Sequence, residues 1–107
     1  MNTQFKKGIL ELCILSLIDQ KDMYGFEVIE TLAKEIDVNE NTVYPILRRL
    51  TKQNYFETYE KQTQLGAPRK YYKIRPEGVS KLKEYEQQWT SFLKGVFKIL
   101  GGHINEK

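Results

Sequence analysis

The 107-residue chain has one cysteine, Cys13, and one histidine, His103. One thiol excludes an intrachain disulfide, and a thiol with a single imidazole cannot make a four-ligand metal site. They do not read as a catalytic pair either. Cys13 lies in an apolar run and has the character of a packing residue, and His103 lies in a tail beyond the last periodic segment. Long hydrophobic runs are also missing. The most apolar stretch, "ILELCILSLI" at 9–18, is interrupted by Glu11 and Ser16. It is too short to span a bilayer and has no small-residue cleavage site of a signal peptide. A soluble, cytoplasmic protein with no cofactor and no membrane partner is expected. There is no nucleophile–base set, paired-carboxylate motif or glycine-rich phosphate loop, so enzymatic chemistry is not expected.

Internal repeats and low-complexity tracts are absent, and 107 residues fit one compact unit. The net charge is only +3, but its distribution is uneven. Residues 41–75 hold eight basic residues (Arg48, Arg49, Lys52, Lys61, Arg69, Lys70, Lys73, Arg75) against Glu57 and Glu60, a local charge of +6. The rest of the chain carries −3. Such segregation suits a polyanionic partner on one face, although a solvated charged face would look the same.

Hydrophobic spacing predicts a helix over 5–19 that is apolar nearly all round, hence buried on more than one side. A second helix is expected over 23–35, with Asp22 as its N-cap and Phe26, Val28, Ile29, Leu32, Ala33 and Ile36 as its stripe. After a break at "IDVN", a third helix is expected over 40–53, capped by Asn39. From residue 55 the period changes. "YFETYEK" and "RKYYKI" favour strands, and "QTQLGAP" between them supplies a reversing loop. In the second strand, alternation points Tyr72 and Ile74 to the core and Tyr71 outward. Pro76 then opens a last helix over 77–100, ended by Gly101-Gly102. Its residues Leu82, Tyr85, Trp89, Phe92, Val96 and Ile99 alternate spacings of three and four, a heptad seam.

Helix, helix, helix, hairpin, long helix is the order of a winged helix-turn-helix, in which the third helix enters the DNA major groove and the hairpin is the wing. The expected class is mainly α (α+β), with a two-stranded wing. Residues 1–75 would form the DNA-binding domain, and residues 76–107 the dimerisation helix and tail of the same compact unit. At about 100° per residue, Val43, Ile46, Leu47 and Leu50 share one arc of the third helix. Asn41, Pro45, Arg48 and Lys52 share the opposite arc, with Tyr44 and Arg49 on its shoulders. Arg and Asn suit guanine and adenine edges, and Lys and Tyr suit phosphates. Pro45 is the odd member, because a proline inside a helix costs about 3 kcal/mol. Its nearness to the helix start should lower that cost, and its outward position leaves the core undisturbed. Lys61, Arg69 and Lys70 arm the wing for backbone or minor-groove contact.

Five stretches in order, "KKGILELCILSLI", "YGFEVIETL", "NTVYPILRRL", "GAPRKYYKI" and the pair Trp89 and Phe92, resemble the PadR family of transcriptional regulators. The likeness runs from about residue 4 to residue 100 and is to the small subfamily with one C-terminal helix. It implies a homodimeric repressor that binds double-stranded DNA and is released by a small phenolic or planar aromatic molecule. Carried over on "NTVYPILRR", it marks Asn41, Thr42, Tyr44, Pro45, Arg48 and Arg49 as DNA-binding. Carried over on "PRKYY", it marks Arg69 and Lys70. Members often have a threonine before the last helix where this chain has Arg75, so a hydroxyl cap is missing. The longer subfamily's extra C-terminal domain has no counterpart in a chain of this length.

The long seam exceeds what a three-helix core covers, and an exposed Trp89 and Phe92 would make an unusual apolar patch on a monomer. A dimer interface built from Ile9, Leu12, Leu82, Tyr85, Trp89, Phe92, Val96 and Ile99 is therefore expected. Trp89 is either dimer core or, with Phe92 and Val96, the lining of an aromatic-ligand pocket. The competing function is a winged-helix adaptor for protein–protein contact. An adaptor has no need of cations on both the third helix and the wing.

Overall fold

A computed structural model describes residues 3–101, with side chains from Lys6 onward. His103 and the tail lie outside the described residues. The elements are α1 (Thr3–Gln20), β1 (Met23–Tyr24), α2 (Gly25–Ala33), α3 (Glu40–Lys52), β2 (Phe56–Lys61), β3 (Arg69–Ile74) and α4 (Pro76–Ile99). The winged helix-turn-helix expectation holds, with one strand more than foreseen. The antiparallel sheet has the order β1-β3-β2, and Met23 and Tyr24 pair with Tyr72 and Tyr71.

That extra strand corrects the expected start of the second helix. α2 begins at Gly25, and Tyr24 occupies the N-cap position without a side-chain hydrogen bond. Asp22 caps nothing there: its Oδ2 accepts the Tyr59 hydroxyl at 2.7 Å. Met23 and Tyr24 gain more as a strand, because extension buries Met23 in the core and satisfies backbone groups on the free edge of β3. Asn39, by contrast, caps α3 as expected, its Oδ1 accepting from the Asn41 N–H at 2.9 Å. Just past the end of α3 stands Asn54, whose φ of 69° is left-handed. The Tyr55 N–H then reaches the Leu50 carbonyl and the Asn54 N–H reaches Thr51, the paired bonds of a Schellman stop.

The core gathers Leu10, Ile14, Leu15 and Ile18 from α1, Val28 and Leu32 from α2, and Val43, Ile46, Leu47 and Leu50 from α3. Phe56 and Tyr72 close it from the sheet, edge to face at 6.3 Å. α1 is thus covered on more than one side, as its pattern demanded. Burial pushes the Cys13 thiol pKa up, away from the reactive thiolate. α4 docks through its first turns, where Gly78 presses on the backbone: a Cβ there would lie 2.3 Å from the Tyr55 carbonyl oxygen. Further on, α4 leaves the core, so Phe92 is 54% and Ile99 86% exposed. This projecting helix accounts for the elongated 52 × 27 × 25 Å outline.

Candidate nucleic-acid interface

α3 can present a polar face only because its opposite face is fully committed. Val43, Ile46, Leu47 and Leu50 are each at most 1% exposed, and this fixes the rotation of the helix about its axis. Asn41, Pro45, Arg48 and Lys52 then face solvent, with Thr42 and Tyr44 half-buried. Pro45, Arg48, Arg49, Thr51 and Lys52 form one wall of a 570 Å³ groove whose other wall is Thr58, Lys70 and Tyr72 of the wing. The register explains that wall. Thr58 opposes Tyr72 and Glu60 opposes Lys70, so alternation places these four side chains on the α3 side of the sheet. Lys61 and Arg69, also cross-strand partners, belong to the other face.

The wing cations lie against tyrosines. The Arg69 guanidinium sits 4.3 Å from the Tyr24 ring centre, and the Lys61 ammonium 5.0 Å from that of Tyr71. Tyr71 faces outward as expected, stacked on Tyr59 at 5.6 Å and tilted against Tyr24 at 5.5 Å. These rings hold long side chains in place at the wing, which lowers the entropy lost on binding an anion. The bond from the Tyr59 hydroxyl to Asp22 holds the phenol pKa up, at about 12.

Arg49, of the expected DNA-facing set, lines the α3–wing groove and is also paired inward. Its guanidinium is paired with Glu11 of α1, and Glu11 also accepts the Tyr85 hydroxyl at 3.0 Å. One carboxylate thus joins α1, α3 and α4. The helical wheel placed Arg49 on a shoulder correctly but could not say which neighbour waited there. Thr58 and Tyr72, which line the groove, were not foreseen. For Tyr72 the alternation signal was right for the ring and silent about the hydroxyl.

The expected seam on α4 divides. Leu82 is buried in this chain's own core, and Tyr85 is half-buried with its hydroxyl on Glu11. Trp89 lies against α1, where a Cβ on Gly8 would come within 3.1 Å of its ring, and meets Phe92 edge to face at 5.9 Å. Val96 is half-buried, and Ile9 and Leu12 are partly open on α1.

Residues 14–84 match the Transcriptional regulator PadR-like family, from the middle of α1 through the sheet into α4. The chain belongs to this family. PadR-family proteins are transcriptional regulators that bind DNA, not enzymes. A PadR-like transcriptional regulator from Bacillus cereus is 38% identical, with a TM-score of 0.82 over 92% of this chain and 97% of its own. A Streptococcus transcriptional regulator is 33% identical, with a TM-score of 0.81 over 92% and 98% of the two chains. An uncharacterized protein from Lysinibacillus sphaericus is 33% identical over 88 residues, 78% of this chain and 81% of its own. The single C-terminal helix agrees with the small-subfamily form of PadR. Among the described residues, no helix is long and apolar enough to cross a membrane.

Proposed function

We propose that this PadR-family protein is a repressor that binds a palindromic operator as a homodimer and is released by a small planar aromatic molecule. The observation that carries the DNA-reading part is the shared groove, in which Arg48 and Lys52 of α3 face Lys70 of the wing. Donors on a helix that fits the major groove, beside a cation on a flanking ribbon, separate base reading from phosphate anchoring. Homodimerisation is supported by the exposed Phe92, Ile99 and Leu100 at the projecting end of α4. Two recognition helices related by a two-fold axis would sit one DNA turn apart, about 34 Å. In this reading residues 76–107 serve as the dimerisation segment, and Trp89, Phe92 and Val96 would meet an aromatic effector near the interface.

Selection of bound sequences from a random or genomic duplex pool tests the proposal. An enriched palindrome is the expected outcome, with affinity falling by orders of magnitude between about 50 and 200 mM salt. Salt-independent or absent binding would favour a protein–protein adaptor. Sedimentation as a monomer at micromolar concentration would remove the dimer. Unchanged Trp89 fluorescence across a panel of planar aromatics would remove the effector.

A further inference from the structure

The α3–wing groove is lined by the cations Arg48, Arg49, Lys52 and Lys70. Among the described residues, Arg49 alone of these has a carboxylate partner. That partner, Glu11, comes from α1 rather than from α3 or the wing. The Glu11 side chain is 15% exposed, and a carboxylate so enclosed costs free energy unless its oxygens are bonded. Both are: one takes the Arg49 guanidinium and the other the Tyr85 hydroxyl at 3.0 Å. Arg49 keeps access to the groove, with 31% of its side chain exposed. The base-reading and anchoring roles assigned above use neither Glu11 nor Arg49.

The packing of α4 on α1 sets where this carboxylate stands. Tyr85 bonds Glu11, and Trp89, one turn further along α4, lies over Gly8, one turn back along α1. Residues three and four apart share a helix face, so the two contacts belong to one seam. Phosphate and carboxylate oxygens compete for the same guanidinium donors. A phosphate that takes Arg49 must therefore leave Glu11 as an enclosed charge without its cation. Arg48, Lys52 and Lys70 carry no such cost.

We propose that Glu11 is an internal counterion that withholds Arg49 from the DNA backbone and so limits the sequence-independent part of affinity. The inference rests on the DNA-binding reading above and assigns a role to an α1 residue outside the DNA-facing surface. Phosphate neutralisation supplies nearly all of nonspecific binding. A further free cation in the groove would strengthen the hold on every duplex and add nothing to base reading.

The test measures full-chain affinity for the selected operator and for a random duplex across salt concentrations. Glu11→Gln keeps the side-chain size and an acceptor for Tyr85 but removes the charge. It should bind both duplexes about tenfold tighter, with a salt slope steeper by about one, although its thermal midpoint falls. Affinity and stability then move in opposite directions, which loss of a merely structural contact would not produce. Arg49→Ala should keep the parental affinity and slope. Combining Glu11→Gln with Arg49→Ala should abolish the gain, which separates release of Arg49 from the general field of a deleted charge. Glu86→Gln makes the same charge change at an exposed position of α4 and should match the parent. Should Glu11→Gln not fold, Glu11→Asp keeps the net charge but draws it back by one methylene, and should give a smaller gain of the same sign. Affinity at or below the parent in the folded Glu11 variants would overturn the counterion role while DNA binding stands. So would a gain that survives Arg49→Ala, an equal gain in Glu86→Gln, or a shallower slope in Arg49→Ala alone. Failure of the parent to bind any duplex would instead overturn the DNA reading, and the counterion role with it.

Discussion

Arg49 of α3 is paired with Glu11 of α1, across 38 residues of sequence, and the second carboxylate oxygen of Glu11 takes the Tyr85 hydroxyl of α4. The Glu11 side chain is 15% exposed and that of Arg49 31%, so the pair is only partly screened. Glu11→Ala strands a cation and a phenol together. It should lower unfolding free energy by about 1–3 kcal/mol, the upper figures for such losses being reduced by Arg49's access to water. Urea denaturation checks this, and Glu11→Gln should cost less because it keeps an acceptor for Tyr85. Arg49→Ala should lose stability while leaving the salt slope of DNA binding unchanged.

Gly78 offers a separate test of how α4 is seated. Alanine usually improves a helix interior by about 1 kcal/mol over glycine. Here the added Cβ would meet the Tyr55 carbonyl oxygen at 2.3 Å and Ile74 Cγ1 at 2.7 Å. Backbone oxygen cannot rotate aside, and the Arg75 N–H already bonds that same oxygen at 2.9 Å. Gly78→Ala should therefore destabilise by about 1–3 kcal/mol, seen as a thermal midpoint several degrees lower.

Tyr59 should titrate late. Its hydrogen bond to Asp22 raises the folded-state pKa to about 12 from the ordinary 10.0. A raised pKa means that the protonated phenol is the form favoured by folding. Its contribution is therefore complete below pH 10 and is lost as pH rises through about 12. Ultraviolet titration of tyrosinate should find this late ionisation, and Asp22→Asn should move it back towards 10. An unchanged titration in that variant would remove Asp22 as the cause.

Much of this was legible in the amino-acid order because the helices and the hairpin are long, periodic and punctuated. Asn39, Pro76 and the glycine-proline loop marked boundaries through chemistry that acts within a few residues. β1 was not legible: two residues make no period, and their extension is decided by the edge of β3, distant in sequence. The same missing information misplaced Asp22 as a cap and hid the partner of Arg49. The groove's α3 wall followed from a helical wheel. Its wing wall needed the register that pairs Thr58 with Tyr72.

On the DNA-binding proposal, Arg48 and Lys52 should behave differently although both face the groove. Arg48→Ala should cost about 1–3 kcal/mol on the operator and relax sequence preference if the guanidinium reads a base. Lys52→Ala should weaken operator and random duplex alike. Equal losses for Arg48→Ala on both duplexes would make it a phosphate contact. Mobility shifts on the two duplexes separate the cases.

Pro45 turns stability against function. It is the sixth residue of α3, and the helical ladder is already running when the chain reaches it, with the Val43 N–H on the Asn39 carbonyl at 3.1 Å. Nearness to the helix start therefore gives less relief than the sequence suggested. Pro45 has no N–H to offer the Asn41 carbonyl, and its ring crowds that oxygen. Its side chain, meanwhile, faces the groove beside Arg48 and touches none of the core. Pro45→Ala should restore the missing bond and raise stability by about 1–3 kcal/mol in denaturant titration. The same change should weaken operator binding, because a rigid apolar ring suited to a thymine methyl or a sugar is lost. A variant both more stable and equally tight would reduce Pro45 to a backbone detail. Greater stability with weaker binding would identify it as strain kept in the fold for contact with DNA.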